Sequence, residues 1–358
     1  MSQDKSTKAP INLWYTRCGA ATASALAIRK NWLQAEFSQH GTLLHSLRDS
    51  DSLELRNSHY HHKQTGMFRE GGNIPPIWAK GLGQDTVVIG VTWLDEYQGI
   101  IVKADSKILD VSDLKGKRLG IPKHINAVID FQRGAAQHGF ATALSLYGLK
   151  PKDATWIDIE VPSYDLQDGP RVQRNENRHA ELDALNNGLV DAIFFRFARG
   201  VRLSHTNGYR EIININEHPD PLVRVNNGTP RPVTVDRAFL DKHPEIVARY
   251  LAVLLRTADW ASKNHDEVIS LLTPESQNAS VDEVLLSHGR DVHLSFTPKL
   301  TEQYLKGLEV QKNFLRDWGY IKTDFDIKDW VVHEPLEEAK RLVQAQPEFK
   351  QFLTTIAA

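Results

Sequence analysis

Cysteine is nearly absent: Cys18 is the only one in 358 residues, so no intrachain disulfide can form. A lone thiol suits a reducing compartment. No stretch is apolar for 18 residues, which excludes a membrane-spanning helix. Charge of one sign is not in excess either. The 43 Lys and Arg residues against 45 Asp and Glu leave a formal charge of -2, so neither nucleic acid nor a membrane is an expected partner. The amino-terminal run MSQDKSTKAPINLWYTRC has no basic region followed by an apolar run, and Arg17 before Cys18 argues against lipoprotein processing. A cytoplasmic chain, monomeric, is therefore the expectation. Internal repeats and low-complexity tracts are missing too. What is present is an ordinary globular composition, 41% hydrophobic and 25% charged, in a chain too long for one core. Two lobes are expected.

Strand-like and helix-like segments alternate, which points to a mainly parallel α/β architecture. Residues 11–15 (INLWY), 86–91 (TVVIGV), 98–102 (QGIIV) and 156–161 (WIDIEV) read as strands. The segment 113–121 is a charged turn running into an apolar strand, and 186–195 is another turn and strand. An Ala-rich run from Ala20 to Leu33 reads as a helix, which puts Cys18 at a strand-to-helix turn. Gly148 and Pro151 mark a helix stop. Residues 231–239 read as extended, a helix runs from Pro244 toward Trp260, and the tail beyond Leu300 is mostly helical. The polar, aperiodic stretch from Asp168 to Arg178 reads as a surface loop.

Three residue types carry candidate chemistry. A helix start or a nearby cation lowers a thiol's pKa from its usual value of about 8.5. Arg17 and the following helix are therefore expected to favour a thiolate at Cys18. The bland alternative is a buried, inert cysteine. His59 opens the run His59-Tyr60-His61-His62; paired with Cys18 it could activate the thiol. His61 and His62 read as a solvated loop, and the His-x-His-His spacing is a weak metal motif with no acidic or thiol partner near it in sequence, so no metal is expected. Arg69 with Gly71 and Gly72 reads as an anion cradle, a guanidinium fork beside backbone that can approach closely. A surface arginine at a Gly-Gly turn is the commoner fate.

Four segments carry a resemblance: Asp113-Leu-Lys-Gly-Lys-Arg-Leu-Gly120, Gly148-Leu-Lys-Pro-Lys-Asp153, Gly188-Leu-Val-Asp-Ala192 and Phe239-Leu-Asp-Lys-His-Pro-Glu245. Together they resemble the type II periplasmic-binding-protein-like superfamily of sulfonate, taurine and pyrimidine-precursor binding proteins. The resemblance covers most of the chain and implies an α/β fold of two lobes, each a mainly parallel sheet flanked by helices, with a ligand cleft between them. Expected boundaries are 1–97 with 237–358 for the first lobe and 98–236 for the second, with hinges near Gln98 and Val235.

Three further segments are similar to the hydroxybiphenyl sulfinate desulfinases of dibenzothiophene desulfurisation. They are Tyr15-Thr-Arg-Cys18, then His59-Tyr60 with Arg69 ten residues on and Gly71-Gly-Asn-Ile-Pro-Pro76, and finally Leu308-Glu309 through Gln311 to Asp329-Trp330. This resemblance implies cofactor-free cleavage of an aryl carbon–sulfur bond, with Cys18 as acid or nucleophile and His59 and Arg69 as the other catalytic groups. It further implies Thr16, Arg17, Tyr60, Gly71 and Gly72 as substrate-binding residues. The ligand is a small organic anion: a sulfinate, a sulfonate or an aryl acid. Two departures stand out. Arg196 lies where those enzymes carry apolar or aromatic residues, and Gly134-Ala135-Ala136 lacks a tryptophan. An extra cation at Arg196 would suit a ligand with a second anionic group, or a smaller one. A non-catalytic solute-binding protein is the competing expectation. The pyrimidine synthase of this fold is a poorer one, because it needs a cysteine-rich segment.

Overall fold

The computed structural model describes residues 10–16, 18, 20–38, 41–161, 180–276 and 279–346. Arg17 and the expected surface loop 168–178 lie outside the described residues. Among the described residues there are two five-stranded sheets. The first contains β1 (Ile11–Thr16), β2 (Thr42–Ser46), β3 (Met67–Glu70), β4 (Thr86–Thr92) and, returning late in the chain, β10 (Arg231–Asp236) in the order β2-β1-β3-β10-β4. The second contains β5 (Gln98–Lys103), β6 (Arg118–His124), β7 (Thr155–Val161), β8 (Ala192–Arg196) and β9 (Tyr209–Asn214) in the order β7-β6-β8-β5-β9. In each sheet the strand that has just crossed over from the other lobe is antiparallel: β10 to β3 and β4, and β5 to β8 and β9. The remaining pairs are parallel.

Helices cover both sheets. They are α1 (Ala23–Arg29), α2 (Trp32–Ser38), α3 (Leu53–His61), α4 (Ile74–Gly81), α5 (Phe131–Leu146), α6 (Ala180–Asn186) and α7 (Phe197–Ser204), followed by α8 (Arg237–Lys242), α9 (Pro244–Ala261), α10 (His265–Glu275), α11 (Val281–His288), α12 (Glu302–Asp317), α13 (Ile327–Trp330) and α14 (Glu334–Ala345). The β4 sequence TVVIGVT is buried at every position, as a strand covered on both faces must be. The long helix α9 starts on Pro244, whose fixed φ suits the first helical position. It lays Val247, Tyr250, Leu251 and Leu254 onto the first sheet, where Tyr250 stacks on Phe68 at 4.0 Å between ring centroids.

Three expectations need correction. The Ala20–Leu33 helix is two helices, because Asn31 adopts a left-handed φ of 56° between α1 and α2. Residues 231–239 are not extended throughout: β10 ends at Asp236, whose carboxylate caps α8 by accepting from Phe239 N at 2.9 Å. The lobe boundary moves as well. β10, expected in the second lobe, is hydrogen-bonded between β3 and β4 in the first sheet. The chain therefore passes between the two sheets at residues 93–97 and again at 215–230. The two crossovers are tied together. Asn226 donates to Gln98 Oε1 at 2.9 Å, and Arg224 holds Asp95 with two bonds of 3.1 and 3.0 Å.

Candidate active site

Parallel register brings the candidate residues together. Thr16, at the end of β1, lies beside Arg69 on β3, so the segments leaving both strands emerge at one sheet edge. Such an edge, outside the carboxyl ends of parallel strands, is where ligands bind in open α/β folds. Antiparallel β10 begins at that same edge with Arg231, and β4 ends there before Glu96. Cys18, half-buried, packs directly against Gly71. A Cβ added at Gly71 would fall 2.6 Å from both Cys18 Cβ and Sγ, and 3.8 Å from Arg69 Nη1.

Arg69 is buried, 1% exposed. Its Nε donates to the His59 carbonyl at 3.0 Å and its Nη1 to the Gly72 carbonyl at 2.8 Å. Among the described residues no carboxylate pairs with it. Burial pushes its pKa down, while the nearby Cys18 and Tyr60 groups push it up. A guanidinium stays protonated in proteins, so this is a buried cation near the thiol.

His59, in the last turn of α3, has its Nδ1 2.5 Å from Thr16 Oγ1. The structure thus pairs that nitrogen with Thr16 rather than with the thiol, and only Nε2 remains for other contacts. Burial holds the His59 pKa well below the ordinary range, followed by the Arg69, His62 and Arg48 charges, so the ring is neutral at pH 7. Tyr60 meets His59 edge-on at 4.8 Å and stacks on Phe131 of the second lobe at 6.2 Å. His61 and His62 correct the solvated-loop expectation. Both are buried, because α3 runs through His61 and His62 closes it in a left-handed conformation, with Nδ1 3.0 Å from the Tyr60 carbonyl. Among the described residues, no cluster of three His, Cys, Asp or Glu side chains could hold a metal.

The expected help from a helix start does not reach Cys18. The first amides of α1 are taken by Glu70, which accepts from Ser24 N at 2.7 Å and Ala23 N at 3.3 Å, and from Thr92 Oγ1 at 3.2 Å. Glu70, not the thiol, occupies that helix end.

Arg196 is likewise committed. Its Nη1 donates to Glu96 Oε1 at 2.6 Å, and its guanidinium lies 4.7 Å from the centre of the Phe197 ring. It pairs with a carboxylate that Arg231 also holds, so two guanidinium groups share one anion there.

Asn227 in the second crossover and Arg231 at the start of β10 escaped the sequence reading. Asn227 accepts from Ile74 N at 2.9 Å through its side chain and from Asn73 N at 2.7 Å through its carbonyl. A Cβ on Gly72 would come within 2.7 Å of its Nδ2. Arg231 donates through Nη1 to the Ala21 carbonyl and through Nε to the Gly228 carbonyl at 2.8 Å. No sequence signal marks either residue, since they reach the site only through the return of β10.

No family model matches the chain. It is 22% identical over 355 residues to 2'-hydroxybiphenyl-2-sulfinate desulfinase of Rhodococcus erythropolis, covering 91% of this chain and 93% of that protein. Its structure is similar to the desulfurisation enzyme DszB in complex with biphenyl-2-sulfinic acid, with TM-score 0.73, 22% identity, and 92% and 99% of the two chains covered. It is also similar to the periplasmic aliphatic sulphonate binding protein SsuA of Escherichia coli, with TM-score 0.63, 15% identity, and 91% and 93% covered. These likenesses agree with the two-sheet topology in giving a type II periplasmic-binding-protein-like fold. No helix among the described residues is long and apolar enough to cross a membrane.

Proposed function

We propose that this chain, a two-lobed type II periplasmic-binding-protein-like protein similar along most of its length to a hydroxybiphenyl sulfinate desulfinase, is a cofactor-free carbon–sulfur lyase acting on a sulfinate. The observation that carries the reading is Arg69, a buried guanidinium with two donors fixed on backbone carbonyls and no carboxylate partner among the described residues. An unpaired buried cation is costly unless an anion meets it. The half-buried thiol of Cys18 lies against Gly71, within reach of that cation's field.

In this reading the sulfinate oxygens take the remaining Arg69 donors and the Gly72 amide, with Thr16 beside them and Tyr60 against the apolar body. The Cys18 thiol gives its proton to the ring carbon as the carbon–sulfur bond breaks and sulfur dioxide leaves. Water converts the dioxide to bisulfite, and the proton released restores the thiol. Attack of the thiolate on sulfur is the competing route. Neutral His59 orients the site as a hydrogen-bonding group, since its burial beside Arg69 disfavours an imidazolium. The lobes close over the ligand and exclude water, which strengthens the cation–anion contact. The protein acts as a cytoplasmic monomer, in keeping with its unpaired thiol.

The test is sulfite release from a panel of aryl sulfinates. Turnover by the wild type and a loss of about 10²–10⁴-fold in Cys18→Ser, with ligand binding kept in calorimetry, supports the lyase. The likeness to the sulphonate-binding protein favours a second reading, a binder without chemistry. Tight binding with no turnover, indifferent to Cys18→Ser, establishes that reading instead.

A further inference from the structure

Arg231 and Glu96 form a fully buried ion pair, both side chains 0% exposed, with Arg231 Nη2 3.2 Å from Glu96 Oε2. Glu96 sits in the first crossover and Arg231 at the end of the second. The second guanidinium on Glu96, from Arg196, comes from the other lobe. Arg231 does more than match charge. Its fork reaches the Ala21 carbonyl, in the loop that joins Cys18 to α1, while its Nε holds Gly228. Gly228 is itself packed on the carboxylate, since a Cβ there would lie 1.9 Å from Glu96 Oε2.

We infer that Arg231 is a positioning residue for Cys18, acting through the Ala21 carbonyl, with Glu96 fixing its guanidinium. The loop carrying the thiol has no regular secondary structure between Thr16 and Ala23 among its described residues. Its placement therefore depends on contacts from other elements. Gly71 packed against the sulfur is one of them, and this fork is another. A planar guanidinium can serve Ala21, Gly228 and Glu96 together, which an ammonium cannot. The inference rests on the lyase reading only for its kinetic consequence; its structural content does not need turnover.

The experiment uses the fact that Cys18 is the sole cysteine, so alkylation by iodoacetamide reports on it alone. Arg231→Lys keeps the charge beside Glu96 and removes the fork. The expected result is an alkylation rate changed at least about 5-fold with a displaced pH profile, at unchanged circular dichroism. The sulfite-release kcat should fall about 10–100-fold with KM within about 3-fold. If Arg231→Lys does not fold, the double variant Arg231→Gln with Glu96→Gln replaces it; that variant removes both charges of the pair and the reach to Ala21, and the same shift is expected. A wild-type alkylation profile in the folded variant overturns the inference. Absence of sulfite release in the wild type would defeat the lyase reading alone and leave the alkylation result standing.

Discussion

At position 71 only a hydrogen fits. A methyl group there would press 2.6 Å from the sulfur and β-carbon of Cys18, so Gly71→Ala must move the thiol. The expected outcome is a protein that melts below wild type and, in its folded form, releases sulfite at least about 100-fold more slowly, since misplacement by about 1 Å can cost that much. Unchanged turnover in Gly71→Ala would place the chemistry away from Cys18. Several residues at this scale were legible before the structure. Arg69, Gly71, Gly72 and the lone thiol stood out as candidates from residue type alone, and the structure brings them side by side, while their role as an anion cradle belongs to the proposal. Arg196 was read as an extra cation, but its carboxylate partner Glu96 lies 100 positions away and carries no local signature.

At the scale of elements, the start of α1 shows how a correct secondary-structure assignment can still mislead about chemistry. A helix does begin after Cys18, yet its amides are spent on Glu70. Burial pushes the Glu70 pKa up, and the bonds from Ser24, Ala23 and Thr92 only partly offset this. Removing the side chain leaves buried donors without an acceptor, at about 1–3 kcal/mol each. Glu70→Ala is therefore expected to lose about 2–3 kcal/mol in urea unfolding. Glu70→Gln should lose less than half of that, because its amide oxygen still accepts while the burial penalty on a charge disappears. Equal losses in the two variants would show that the charge itself holds α1. Apolar strands such as β4 were readable as continuous β-branched runs. β3 was not: its sequence MFRE is fully buried while half of it is charged, and only the site explains that. β10 was visible as an extended segment, but its pairing in the first sheet depends on a long-range return that no window of sequence contains.

Across the whole molecule, buried imidazoles set how stability responds to acid. Burial and the Arg69 charge press His62 down to about 3, and burial presses His138 to about 4 against a bond to Gln311. His288 lies at about 4 through burial and the Arg231 charge, and His59 is lowered in the same direction. An unfolded histidine titrates near 6.5, so below that pH the unfolded chain binds protons that the folded one refuses. The stability these rings contribute is complete above about pH 6.5 and is lost as the pH falls toward 4. Each ring adds a slope of up to about 1.4 kcal/mol per pH unit in that window. Buried carboxyls raised by burial, such as Glu70 and Asp236, act in the opposite sense from their raised folded values down to about pH 4, and so offset part of the fall within the histidine window. Urea midpoints measured at pH 7.5, 6.5, 5.5 and 5.0 should therefore hold steady over the first step and then fall. Because His59 and His62 flank Arg69 while His138 and His288 lie elsewhere in the molecule, His138→Asn should flatten the decline without touching turnover at pH 7.5. Midpoints that stay level down to pH 5.0 would mean that these rings are protonated in the folded state, and His59 would then enter the chemistry as a cation.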